Sequence, residues 1–262
     1  MNILVCVKRV PDTSESEVTI DGSGRGINHE NMAFVINEAD NYALEEALLI
    51  KEKLDGTVTL LTIGESESED ILRMGLAKGA DSAVRIDDPA FQGSDAIAIA
   101  GILATAVKPM EFDLILTGCM ASDDWNAQVG PALASFLNVP HASLVTLVET
   151  GEGEITVQRE LEGGLLAKMA LKLPAVVTIQ TGINEPRYAS IMGIAKASKK
   201  PIDTRDAAAL GVDAGSAGEG GSGTRLISLS IPVQEKMAEI LEGGAEESST
   251  ALSEILKERG LI

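Results

Sequence analysis

The stretch GCMASDDWNAQVGP, residues 118 to 131, places two carboxylates between glycines where an apolar run, Asp113 to Leu116, gives way to a helical pattern. Such a junction suits a phosphate. The first helical amides, from about Gln128 to Ala132, lack intrahelical partners, and the aligned peptide dipoles add partial positive charge, so an anion can be held without Lys or Arg. Gly130 would let the anion approach the backbone, and Pro131 suits a first turn where no N–H bond is lost. Asp123 and Asp124 have two readings: they bond a ribose hydroxyl or cap the turn, or with Asn126 they are simple turn formers. The chain lacks the GxxxxGK[ST] of a P-loop.

Two further polar sets stand at ends of the expected elements. Asn37, Glu38, Ala39 and Asp40 precede a helix expected to begin near Asn41; Asp40 would be its N-cap, and Asn37 could reach an adenine edge. Lys8 and Arg9 follow the first strand at its carboxyl end, where open α/β sheets hold ligands, although a solvated pair of charges is the plainer reading. Cys6 and Cys119 have no CxxC spacing and read as small hydrophobes in a reducing compartment. His29 and His141 lack ligand-spaced companions, so no metal centre is expected.

Far downstream, Asn184, Glu185, Pro186, Arg187 and Tyr188 follow an apolar strand and break secondary structure at the proline. Ile183 just before them is an aliphatic side chain in a loop, the type of residue that anchors a partner protein. The next stretch carries Arg187, Lys196, Lys199, Lys200 and Arg205 against Asp203 alone. It would steer an acidic partner or be merely a solvated face.

The elements that must position these residues alternate. Ile3 to Val7, Val58 to Ile63, Ala83 to Ile86, Leu114 to Thr117, Ser143 to Val148 and Ala175 to Ile179 read as strands. Asp40 to Leu54, Ser68 to Lys78, Ser94 to Val107 and about Gln128 to Leu137 have helical apolar spacing. The fold class expected is α/β, a doubly wound, mostly parallel sheet of the adenine-nucleotide-binding type. Residues 16 to 36 and 153 to 173, with turn signals DGSG and EGG, would add two β-hairpins. AGSAGEGGSG, 214 to 223, reads as a flexible linker, followed by an apolar run, Leu226 to Val233, and helical stretches Gln234 to Glu242 and Ser248 to Arg259. This divides the chain into an α/β domain, 1 to 212, and a linker with a C-terminal arm, 213 to 262, that docks on the main domain or on another chain.

Composition narrows the function. A net charge of −19 over 262 residues argues against nucleic acid or an anionic membrane as partner. No apolar run reaches the ~18 residues of a membrane span, and the amino terminus lacks the order of a signal peptide, so a cytoplasmic location is expected. No Ser-His-Asp order stands out, and the pattern is that of a nucleotide-holding partner more than a complete enzyme.

VKRVPD (7 to 12), ALEEALLIKEK (43 to 53), LRMGLAKGAD (72 to 81), the 118 to 131 loop, REL and EGG (159 to 164), LKLPAVVT (171 to 178) and NEPRYASIMGIAKASKKPI (184 to 202) stand in one order. Together this set resembles the beta subunit of electron transfer flavoproteins, collinearly from Met1 to about Val212. The resemblance implies a heterodimer whose alpha subunit holds the redox-active FAD, with the arm from 213 to 262 docked on it, while this chain holds AMP structurally. Electrons would come from acyl-CoA dehydrogenases or similar flavoenzymes, as in fatty acid β-oxidation, and pass to a membrane-associated quinone oxidoreductase. By position, the nucleotide contacts would be Cys6, Asn37 to Asp40, Ile63 and the loop of Asp123, Asp124, Trp125, Asn126, Ala127, Gln128, Val129 and Gly130. Ile183 would be the anchor of a recognition loop framed by Asn184 to Tyr188.

The chain departs from the usual members in the 123 to 130 loop, which lacks a third consecutive acid. AQVGP and Thr13 look more like the bifurcating or nitrogen-fixation-linked branch, whose beta subunit can hold a second FAD and use NADH. Trp125 would fill the space of an isoalloxazine or stack on one. AMP is the expected nucleotide, a second FAD the alternative, and a free-standing adenine-nucleotide-binding protein a further one.

Overall fold

The structure, a computed structural model, describes every residue except 15, 233–237 and 239. β1 (Asn2–Cys6) is a near-continuous apolar run because both of its faces are covered. Ile3 and Val5 face one core with Leu114 and Leu116, whereas Leu4 and Cys6 face a second with Ile115. That two-sided alternation dictates helices on both faces of the sheet.

The first crossover runs from β1 through α1 (Glu38–Leu54) to β4 (Thr57–Ile63). Between them β2 (Arg9–Pro11) and β3 (Phe34–Ile36) pair antiparallel in a small separate sheet. Next come α2 (Glu69–Lys78), β5 (Ser82–Ile86), α3 (Ala96–Val107), β6 (Leu114–Gly118) and α4 (Val129–Leu137). β7 (His141–Thr150), β8 (Glu154–Glu160), β9 (Leu166–Lys172) and β10 (Ala175–Ile179) follow. α5 (Ile191–Ala197) then leads to β11 (Asp203–Arg205) at the sheet edge. The main sheet has nine strands in the order β11-β5-β4-β1-β6-β10-β7-β8-β9. Strands β11 through β7 are parallel, and β8 and β9 extend the sheet as an antiparallel hairpin. The expected doubly wound, mostly parallel α/β class is the observed one.

The departures have local causes. The EGG turn makes its hairpin, β8 with β9, but the DGSG turn closes only one bridge, Ile20 with Ile27. The strand that ends this segment, β3, takes β2 as its partner instead. The Gly- and Ser-rich stretch read as a flexible linker folds into two short helical turns, Ala214–Ser216 and Gly218–Gly221, bonded to the start of α3. Its serines and free amides find partners in Ser94 and Asp95, which composition alone does not reveal. Of the arm, α6 (Ala245–Glu258) realises the expected Ser248 to Arg259 and buries no residue. Leu226 to Pro232 has no regular structure, and the helix expected from Gln234 to Glu242 falls largely outside the described residues. Among the described residues, no helix is long and apolar enough to cross a membrane.

Candidate functional site

β1 lies between β4 and β6, and the crossovers leaving it and entering β6 run on opposite faces. The carboxyl ends of these strands therefore open on a crevice, the usual ligand position of an open α/β sheet. Asp40 organises it. Its carboxylate accepts from the amides of Lys8, just beyond β1, and Gly118, the last residue of β6, at 2.8 Å each. The expected N-cap role is thus corrected: the helix begins three residues earlier than expected, at Glu38, and Asp40 turns inward to tie two strand ends together. The cap position belongs to Asn37, which caps nothing. Its amide nitrogen donates to the Met120 carbonyl at 2.9 Å and its oxygen accepts from Ser122 N at 3.1 Å. Asn37 therefore holds the 118 to 131 loop and is buried, which leaves little of it for a base edge.

Lys8 closes the loop from the other side. Its Nζ donates to Asp123 Oδ1 at 2.7 Å and Asp124 Oδ2 at 2.9 Å, so neither carboxylate stands free. Burial pushes the Asp124 carboxyl up, but the Asn126 amide and Lys8 outweigh it and hold the group below the usual range. Sequence reasoning left Lys8 as a ligand-end residue or a solvated charge and named no partner for it; the paired Asp residues 115 and 116 positions later were its only signal.

Burial dominates the titration of the inner residues. It pushes the Asp40 carboxyl up to about 6, against the opposing bonds from Lys8, Gly118 and Asn37. Burial, reinforced by the charge on Asp40, pushes the Cys6 thiol up to about 12. Cys6 is a protonated wall residue, in keeping with the small-hydrophobe reading, and not a nucleophile. Cys119 donates from Sγ to Gln180 Oε1 at 3.1 Å, a partner the sequence did not single out.

The amides of Ala127, Gln128, Val129 and Gly130 make no hydrogen bond to the chain among the described residues, while Ala132 N already bonds Gln128 O at 3.0 Å. A row of open donors at the start of a nine-residue helix is what an anion requires. Ahead of it, Trp125 (φ 55°) and Ala127 (φ 53°) hold left-handed backbone, a strain that collects at ligand clamps. The Trp125 ring is 70% exposed, and its N–H donates to Ser122 O at 2.9 Å.

Gly130 needs a different explanation from the one expected. A Cβ there would overlap the Thr178 methyl group and meet the Thr117 hydroxyl at 3.0 Å. Glycine is required so that α4 can lie against β6 and β10. Ile63, at the end of β4, borders a cleft of about 330 Å³ with Ile86, Asp88, Phe91, Gln92 and Ile99, at the low end of ligand-pocket size.

The second predicted set lies apart, on the helical face of α1 and α2. Asn184 Nδ2 donates to Tyr42 O at 3.1 Å and Glu46 Oε2 at 3.0 Å. The Arg187 guanidinium grips the buried Glu45 carboxylate with Nε at 3.0 Å and Nη2 at 2.9 Å, and reaches Glu52 Oε1 at 2.6 Å. Glu45 and Glu46 sit among Ala43, Leu44, Ala47 and Leu48, and acids inside so apolar a stretch were the signal missed. Ile183, expected as the anchor of a recognition loop, is half-buried against this chain's own core, because the Arg187 and Asn184 bonds draw the loop down onto α1. Glu185 is exposed and Pro186 half-buried. The apolar side chains presented outward are Tyr188, Ile191 and Met192, at 97%, 87% and 68% exposure.

A doubly wound sheet with an open helix start beyond the carboxyl end of β6, at its switch point, is the arrangement of a nucleotide-holding α/β protein. A family model described as the electron transfer flavoprotein domain matches residues 26–210. The chain is 38% identical over 262 residues to the electron transfer flavoprotein subunit beta of Methylophilus methylotrophus, covering 98% of each chain. It is 39% identical over 263 residues, all of both chains, to the subunit of that name from Thermoanaerobacterium thermosaccharolyticum. It is also 34% identical over 265 residues, again all of both, to subunit CarD of the caffeyl-CoA reductase-Etf complex of Acetobacterium woodii. The chain belongs to the electron transfer flavoprotein family, on the side of its beta subunits.

Proposed function

We propose that this chain is the non-catalytic half of a heterodimeric electron carrier, in which it holds AMP as a structural group. The redox-active FAD belongs to an alpha subunit and supplies the one- and two-electron chemistry. The observation that carries the nucleotide reading is the run of open amides from Ala127 to Gly130 at the start of α4. Gln128, Val129 and Gly130 would hold the phosphate through their amides, and Ile63 and Cys6 would offer apolar surface to the base. Lys8, bound to Asp123 and Asp124, fixes the loop that carries those amides.

In this reading, a donor flavoenzyme such as an acyl-CoA dehydrogenase meets the edge made by Tyr188, Ile191 and Met192, and a quinone oxidoreductase accepts the electrons. Residues 213 to 262 form an arm that docks on the alpha subunit, and the assembly works in the cytoplasm. A second reading, in which FAD replaces AMP here and NADH is oxidised, is favoured by one feature: the exposed Trp125 ring at the start of α4 is a stacking surface.

Nucleotide released by denaturing the co-purified heterodimer separates the two. One FAD and one AMP per heterodimer is the expected result. Two FAD and no AMP would replace the carrier reading with the second one, and no nucleotide beyond a single FAD would remove the phosphate site from this chain.

A further inference from the structure

Asp95 is the residue before α3, and its two carboxylate oxygens have different partners. Oδ1 accepts from Ile97 N at 3.1 Å and Ala98 N at 2.9 Å, the ordinary work of a helix cap. Oδ2 accepts from Gly223 N at 2.9 Å, Thr224 N at 2.9 Å and Thr224 Oγ1 at 3.0 Å, all from a segment 128 or more positions away. Around this point the contact is reinforced. Asp95 N donates to Ser222 Oγ at 2.8 Å, and Gly218 N donates to Ser94 Oγ at 2.7 Å. Ala217 is only 3% exposed, and Arg25 stands 3.6 Å from Glu219.

Beyond Thr224 the chain changes character. Leu226, Ile227 and Ile231 are 50%, 69% and 64% exposed, and α6 buries nothing. An arm so apolar and so little covered by its own domain needs a fixed root if a partner is to capture it without a large loss of conformational entropy.

We infer that Asp95 is a positioning residue for subunit assembly, with Oδ2 clasping the root of the C-terminal arm so that its apolar side chains leave the domain in one direction, toward the alpha subunit. The inference rests on the proposed docking of residues 213 to 262 on that subunit. It does not depend on which nucleotide is bound. The division of labour between the oxygens makes it separable from a purely structural role. In Asp95→Asn the side-chain oxygen can still cap α3, while the amide nitrogen is a donor set against the donors of Gly223 and Thr224.

The experiment compares the intact chain, Asp95→Asn, Asp95→Ala and the double variant Ile227→Glu/Leu252→Glu for affinity to the alpha subunit, thermal unfolding and proteolysis between residues 217 and 230. Asp95→Asn should weaken subunit binding about fivefold or more, as loss of a charge-assisted anchor implies, and expose the 217 to 230 segment, with a melting temperature near that of the intact chain. Asp95→Ala should also lower the melting temperature, because it removes the cap. If Asp95→Asn binds the alpha subunit normally while Ile227→Glu/Leu252→Glu does not, the clasp is wrong and the docking arm stands. Normal binding by the double variant would remove the docking arm itself, and with it the clasp. Equal loss of melting temperature in Asp95→Asn and Asp95→Ala, without segment exposure, would reduce Asp95 to a helix cap.

Discussion

A buried carboxylate that accepts two backbone amides, as Asp40 does, joins β1 to β6 at the point where the crevice opens. Its folded-state pKa, raised to about 6, lies above the value of about 3.9 for an unfolded chain. The folded state therefore binds the proton more tightly, and the stability this group contributes is complete below about pH 4 and lost as pH rises through about 6. Asp40→Asn has no such titration. Its stability relative to the intact chain should rise by about 2 kcal/mol between ~pH 4 and ~pH 7, read from urea midpoints. A constant difference across that range would mean that the bonds from Lys8 and Gly118 fully offset the burial. At this scale the sequence was legible for residue type and not for partner. It singled out Asp40, Asn37 and the Asp123–Asp124 pair, but whether a carboxylate caps its own helix or bonds a strand 78 positions away depends on which way the chain enters the helix.

In helix α4 a single residue sets the packing of an element. Its start leaves the amides of Ala127 to Gly130 without partners among the described residues, and its first turn lies close enough to β10 for Gly130 to face Thr178. Gly130→Ala should destabilise the chain by about 1–3 kcal/mol, since α4 would have to move off the sheet. Urea unfolding of that variant checks this, and a midpoint equal to that of the intact chain would show that α4 has room to shift. The six strands β1, β4, β5, β6, β7 and β10 and the helices α1 to α4 were legible to within a few residues because both periodicities ran uninterrupted through them. α5, β11 and the bonded 213 to 224 segment were not legible. Their order comes from tertiary partners: the Arg73 bonds to the Ala197 and Lys200 carbonyls, the pairing of Thr204 with Arg85, and Asp95. The hold of the loop after Ile183 on α1 was not legible for the same reason, since it runs through Glu45 and Glu46, which the periodicity counted only as helical.

Over the whole molecule, a charge of −19 leaves few places where cations gather, and the Arg187 to Arg205 stretch was the strongest on paper. The fold uses most of it internally. Arg187 is held by Glu45 and Glu52, Arg205 by Asp203, and Lys200 caps the Ala80 and Asp81 carbonyls. Lys196 and Lys199 remain exposed. Association with an acidic flavoenzyme should therefore not slow as salt rises from ~0.05 to ~0.3 M, in stopped-flow mixing. A decline of about tenfold would reveal a cationic patch steering the encounter. The ion pairs that rivet Asn184 to Tyr188 onto α1 thus also silence that surface at long range. On the proposed reading, a flavoenzyme that meets the edge at Tyr188, Ile191 and Met192 would be sorted only after collision, within a Debye length, by how well it fits that apolar surface.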